Sequence, residues 1–266
     1  MSKVDGMVAM LPPFQSLISL GVSVFRTQHL DLLETLIDLV SRFSQNLRML
    51  SINLNMPGIL YQMRPDVKFC TLFSGSLCNW QNLQTMDCGN VALQADTLGH
   101  LSHMPTLTQL NIMPTTLLPA PLFFSNLSAF QLNTWSLAPI SQFLASIRLC
   151  IAMEFTAIIE AHFSKQDLNS FFSCVQASMV VDVVEELTLK EDEKHDYQDT
   201  TTLDFKDMCP SMAFDHLHHL TVNVSWVILL KDNELLQLAS VWPHIEELFI
   251  NKPSGWVTSG IMPNRL

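Results

Sequence analysis

The chain has 266 residues, a formal net charge of −11 from 25 Asp+Glu against 14 Lys+Arg, and 48% hydrophobic residues. With so few cations there is no basic stripe to neutralise phosphates, so nucleic acid and anionic membrane surfaces are disfavoured and a protein partner is expected. Six cysteines, at 70, 78, 88, 150, 174 and 209, form no C-x-x-C pair and no metal-like spacing, which reads as reduced thiols in a cytoplasmic or nuclear protein.

Along the chain, Met7 to Phe25 is apolar but interrupted by Pro12-Pro13, Gln15 and serines, with no basic leader region, so neither a signal peptide nor a membrane span is predicted. Asp31 is expected to cap a helix whose Leu33, Leu36, Ile37 and Val40 fall at i, i+3, i+4 and i+7. A strand phrase then begins: an apolar residue, two free positions, a second apolar residue, one free position and a third. It reads Leu47-x-x-Leu50-x-Ile52, Leu83-x-x-Met86-x-Cys88, Leu107-x-x-Leu110-x-Ile112 and Leu127-x-x-Phe130-x-Leu132, then Val184-x-x-Leu187-x-Leu189, Leu217-x-x-Leu220-x-Val222 and Ile245-x-x-Leu248-x-Ile250. Degenerate copies are placed at 14–20 and 147–152. Helical spacing recurs between the phrases, in Ile140, Phe143, Leu144, Ile147, in Leu168, Phe171, Phe172, Val175, and in Leu235, Leu238, Ala239, Trp242.

This rhythm predicts an α/β fold, a leucine-rich-repeat solenoid or horseshoe with parallel strands on the concave face and helices or irregular segments on the convex face. One domain over 1–266 is expected. Residues 55–80, with Pro57, Gly58, Pro65 and Gly75, and residues 190–213 are expected to be long loops. Asn55 alone fills the asparagine position after a strand. Nine acids between 185 and 207 (Glu185, Glu186, Glu191, Asp192, Glu193, Asp196, Asp199, Asp204 and Asp207) read as a solvated loop, or as a patch for a basic partner.

Catalytic, cofactor and metal motifs are not found. No phosphate-cradling glycine loop, G-x-S-x-G elbow or H-E-x-x-H pair occurs. His216, His218 and His219 form the densest histidine group, but alternation along a strand sends neighbours to opposite faces, so they are not expected to converge on one ion. The sequons at Asn126 and Asn223 lie in or beside predicted strands and are read as chance.

The outward strand positions are the candidate partner-binding residues: Asn53; Asp87; Gln109, Asn111 and Met113; Gln131 and Asn133; Thr188 and Lys190; His219, Thr221 and Asn223; and Glu247 and Phe249. Flanking positions Met49, Ser51, Thr85, Glu186 and Asn251 are assigned to the same face. Met113 and Phe249 are the expected apolar anchors.

The run from Asp232 to Leu248, an acidic cap and Leu/Ala stripe followed by Trp242-Pro243 and a strand, resembles a helix-strand unit of the fungal F-box leucine-rich-repeat proteins. The stretches from Met104 to Leu110 and from Phe214 to Val222 look similar to other repeats of that family. The resemblance implies a non-catalytic module like the substrate-recognition repeats of a ubiquitin-ligase subunit, taken from a longer ancestor or truncated. No F-box motif is visible, since Leu11-Pro12-Pro13-Phe14 departs from L-P-x-E-x-L-x-x-I-F. The alternatives are an unrelated leucine-rich-repeat scaffold and an enzyme with its site on a repeat loop. No cofactor is expected.

Overall fold

The computed structural model describes residues 16–24, 30–54, 67–114, 118–191 and 201–251. Two compact units divide the chain, Met1–Ile112 and Met113–Leu266.

The first unit carries β1 (Ser19–Val24), α1 (Leu30–Phe43), β2 (Met49–Leu54), α2 (Val67–Leu77), β3 (Thr85–Ala92), α3 (Ala95–Ser102) and β4 (Gln109–Met113). Its strands lie side by side in chain order, with Leu20 opposite Leu50 and Leu50 opposite Met86. Parallel neighbours require a long crossover, and the helices between the strands supply it. Leu50, Ile52, Met86, Cys88, Leu110 and Ile112 point to one side and are buried, as are Leu33, Ile37 and Val40 of α1 and Phe69 and Phe73 of α2. Asp31 lies inside the first turn of α1 rather than capping it.

The second unit carries β5 (Leu122–Phe124), β6 (Ala129–Thr134), α4 (Leu137–Ala145), β7 (Ile147–Leu149), β8 (Glu154–Ile159), α5 (Lys165–Ser178) and β9 (Glu186–Glu191). It continues through β10 (Thr202–Leu203), α6 (Phe205–Met208), β11 (His219–Asn223), β12 (Val227–Ile228), α7 (Asp232–Val241) and β13 (Glu247–Ile250). Strands β6, β8, β9, β11 and β13 are parallel neighbours in that order. Their core is aromatic: Phe155 has ring centroids 6.0 Å from both Phe130 and Phe171, and Phe130 lies 6.3 Å from Phe143 of α4. The helices therefore cover the face that carries these rings, and the opposite face of the strands is open.

The single-sheet leucine-rich-repeat horseshoe is corrected by this topology. Among the described residues the main parallel sheet has nine strands, while β5–β7 and β10–β12 form two separate two-stranded sheets. Together with seven α-helices among the described residues, these make a mixed α/β architecture of three sheets. The physical reason is that the next elements after β4, β9 and β11 are not helices but the short strands β5, β10 and β12. Leu149, Leu203 and Ile228 are themselves buried and pair into strands of their own.

Other expectations change locally. The loop expected over 55–80 contains α2, whose Phe69, Phe73 and Leu77 recur at helical spacing and are buried; residues 55–66, including Asn55, lie outside the described set. The loop expected over 190–213 contains β10, α6 and a 3-10 turn, Cys209–Ala213. The degenerate copy placed at 147–152 is displaced, because Ile147–Leu149 belongs to β7 and the main-sheet strand begins at Glu154. The copy at 14–20 overlaps β1 only at its end.

Gly75 sits in α2 where an added Cβ would meet nothing within 4 Å. Glycine inside a helix costs about 0.5–1 kcal/mol relative to alanine through lost backbone entropy. Gly75→Ala should therefore stabilise the protein by about that amount, seen as a higher midpoint in urea with an unchanged slope.

Candidate binding face

Alternation along a strand divides its side chains between two faces, so every buried residue of β6, β8, β9 and β11 fixes its neighbours on the open side. In the second unit the parallel register aligns these outward residues into rows. One row reads Ala129, Glu154, Glu186, His219, Glu247, and the next reads Gln131, Thr156, Thr188, Thr221, Phe249. A third contains Asn133, Ile158, Lys190 and Asn223. Lys190 is the one Lys or Arg among these row residues.

Adjacent strands are about 4.8 Å apart, so the carboxylates of Glu154 and Glu186 stand on neighbouring strands at one level. Like charges placed directly opposite destabilise a sheet. His219 relieves the row on its other side, with Nδ1 3.2 Å from Glu186 Oε1 and Nε2 3.9 Å from Glu246 Oε2. His218 Nδ1 lies 3.2 Å from Glu246 Oε1. Alternation separates the two histidines along the strand, yet the loop before β13 brings one carboxylate within reach of both. Three imidazoles stack beside them, His244 lying 6.1 Å from His216 and 5.9 Å from His218. Among the described residues, no group of three or more His, Cys, Asp or Glu is arranged to hold a metal ion.

The first unit has its own polar face. Asp87 accepts a hydrogen bond from Asn111 Nδ2 at 2.7 Å and one from Ser51 at 3.3 Å, Thr85 donates to Gln109 at 3.2 Å, and Asn90 donates to Asn53 at 3.4 Å. These bonds tie the outward side chains of β2, β3 and β4 to one another, while Asn111 Oδ1 is buried without a partner among the described residues.

The structure places all fourteen residues selected from the sequence on the open sides of their strands. Asn53, Asp87, Gln109, Lys190 and Glu247 are exposed; Asn111, Met113, Gln131, Asn133, Thr188, His219, Thr221, Asn223 and Phe249 are half-buried. Met113 and Phe249 are thus less exposed than apolar anchors were expected to be. Asn251 does not belong to the face: it is buried, with φ 43°, and its side chain is turned back into the chain. Sequence reasoning missed Glu154, Thr156 and Ile158, because β8 was not recognised. The signal existed, since Ala152-x-x-Phe155-x-Ala157 has the strand spacing with alanine at two of three positions.

The acidic segment from 185 to 207 is not one patch. Glu185 is exposed, Glu186 faces out from β9, and Glu191 is buried. Residues 192–200 lie outside the described set. Asp204 and Asp207 form a reciprocal cap at α6 and bond Lys165 Nζ at 3.1 Å and 2.7 Å. Partial burial pushes the Asp204 carboxyl up, but the Lys165 ammonium and the N–H groups of Asp207 and Lys206 outweigh it and the net direction is down. Burial likewise pulls Lys165 down, and its bonds to Asp207 and Asp204 reverse the direction to up. The cap is therefore stabilising at neutral pH. The Asp204 contribution is lost as pH falls through its lowered value, and that of Lys165 as pH rises through its raised one.

A second polar cluster lies just past the ends of β8, β9 and β11. Glu191 Oε1 is 2.6 Å from His162 Nδ1, its Oε2 accepts the Ser225 N–H at 2.7 Å, and Ser225 Oγ is 3.2 Å from the same His162 Nδ1. The residue types are those of a hydrolytic triad, but the geometry is different. A relay needs the carboxylate on one imidazole nitrogen and the hydroxyl on the other. Here both meet Nδ1, so the arrangement clasps two loop segments and does not activate the serine. Burial pushes the Cys88 thiol far up and also raises Cys78 and Cys174, which makes them poor nucleophiles. No helix among the described residues is long and apolar enough to cross a membrane.

No family model and no curated protein matches the chain. Among solved structures, it is similar to a structural-genomics protein of Bacteroides fragilis at 11% identity, covering 93% of this chain and 71% of that one, with a TM-score of 0.41. With no family model or curated protein behind it, and with three sheets in place of one, the resemblance to fungal F-box leucine-rich-repeat proteins is overturned, and with it the assignment as ubiquitin-ligase substrate-recognition repeats. In the structure Trp242 is the C-cap residue of α7 and is fully buried. A buried tryptophan that ends a helix before a strand is a packing solution open to many α/β folds, so it does not identify a family.

Proposed function

We propose that the open face of the second unit binds a basic segment of a protein partner. The observation that carries this reading is the in-register row of Glu154, Glu186 and Glu247, joined by Glu246, on a sheet face that helices leave uncovered. Arginine or lysine side chains arriving there would pair with the carboxylates of Glu154 and Glu186, which stand on neighbouring strands at one level. The adjoining hydroxyls of Thr156, Thr188 and Thr221 repeat at the strand spacing and supply neutral donors and acceptors beside the charges.

A short fluorescent Arg-rich peptide is the probe. The double reversal Glu154→Lys and Glu186→Lys should weaken its binding about tenfold or more, and added salt should weaken the wild-type complex. The chain is acidic throughout, so Asp31→Lys with Glu34→Lys in α1 provides a control with the same change in net charge. Equal losses in the two variants would mean that the peptide reads only overall charge, and the assignment to this face would fail.

A further inference from the structure

We infer that His218 and His219 gate this face, so that acidification closes it to basic partners. The inference rests on the proposed binding reading and adds its regulation.

The geometry places both imidazoles on the carboxylates that the partner would use. His219 spans Glu186 and Glu246 at 3.2 Å and 3.9 Å, and His218 meets the other oxygen of Glu246 at 3.2 Å. A neutral imidazole in these positions either donates one hydrogen bond or stands aside, which leaves the carboxylates able to receive a cation. A protonated imidazole donates from both nitrogens and carries a full charge. It then occupies Glu186 and Glu246 from within the molecule and removes negative charge from the row.

The groups facing the pair are Glu186 of β9, Glu246 and Glu247 at the start of β13, and the imidazoles of His216 and His244. His216 and His218 each stack on His244, so the three rings form one continuous group beside the carboxylates. Every proton that the cluster gains, on whichever ring, makes the face less attractive to a cation. The direction of the effect is therefore fixed. Imidazole is the ordinary side chain that changes charge between about pH 5 and 8, which sets the interval the test spans.

The test measures affinity for the same Arg-rich peptide at about pH 8 and about pH 6, where its arginines hold their charge. Wild-type protein should bind roughly tenfold or more weakly at the lower pH, whereas His218→Gln with His219→Gln should lose less than about threefold. Each single substitution, with the fold checked by circular dichroism, guards against a double variant that does not fold, and each should give an intermediate ratio. A wild-type ratio near one, or an equal ratio in wild type and variants, would overturn the gate while leaving the binding face intact. Absence of peptide binding at pH 8 would remove the binding reading and the gate together.

Discussion

Phe155→Ala is expected to destabilise the protein by about 3–5 kcal/mol, the cost of deleting a large aromatic side chain from a filled core. Phe155 is 1% exposed and lies between Phe130 and Phe171, which belong to a neighbouring strand and to the helix that covers it. The loss combines the transfer of the ring to water with a cavity that neither neighbour can close, because each is held by its own contacts. For a unit of this size the thermal midpoint should fall by roughly 10 °C. Thr156→Ala, one residue along the same strand on the open face, should stay within about 0.5 kcal/mol of wild type. Calorimetry on the two variants checks the assignment of faces in one experiment. Similar losses at 155 and 156 would mean that β8 does not alternate as described.

Asn251→Ala should cost about 3 kcal/mol although it removes only a small polar side chain. Asn251 is buried in the left-handed region at φ 43°, and its Oδ1 accepts the Val224 N–H at 2.6 Å while its Nδ2 donates to the Trp226 carbonyl. Its own N–H bonds the Val222 carbonyl at 3.0 Å. Alanine would leave a buried backbone donor and a buried acceptor unpaired and would also adopt the left-handed conformation less readily than asparagine. Asn251→Asp separates the contributions. It keeps an acceptor for Val224 but turns a carboxylate toward the Trp226 carbonyl, so it should also be destabilising, and more so above the carboxyl range than below it. Urea unfolding of both variants is the measurement, and an alanine variant as stable as wild type would show that the side chain does not hold this turn.

The parts of the fold legible in the sequence are those that a large apolar side chain marks directly. Leu107, Leu110 and Ile112, or Leu217, Leu220 and Val222, announce a strand because each must be buried and alternation then fixes the outward residues. The same logic assigns the outward side of each recognised strand, since it needs only the period of a strand. It failed where the marker was weak or the cause was tertiary. Strand β8 was missed because Ala152 and Ala157 fill positions that usually hold larger residues, leaving Phe155 to carry the core alone. Helix α2 was hidden by Gly75 and by the prolines that precede it, which outweighed the spacing of Phe69, Phe73 and Leu77.

The division into three sheets was not legible at all. Strands such as Thr202–Leu203 and Val227–Ile228 are two residues long, and no local pattern can distinguish them from loops. The convergence of His218 and His219 on Glu246 was likewise invisible, because it depends on where an adjacent loop sets down its carboxylate. The clasp of Glu191, His162 and Ser225 joins residues up to 63 positions apart, and its sharing of one imidazole nitrogen is a matter of atoms rather than residue types.

The most direct test of the binding face is a map of backbone amide shifts as the Arg-rich peptide is added to isotope-labelled protein. Glu154, Thr156, Glu186, Thr188, His219 and Thr221 should move together and saturate with one affinity, while the amides of α4 and α5 stay in place. Shifts confined to the helices, or scattered evenly over the acidic surface with none concentrated on β8, β9 and β11, would contradict the account.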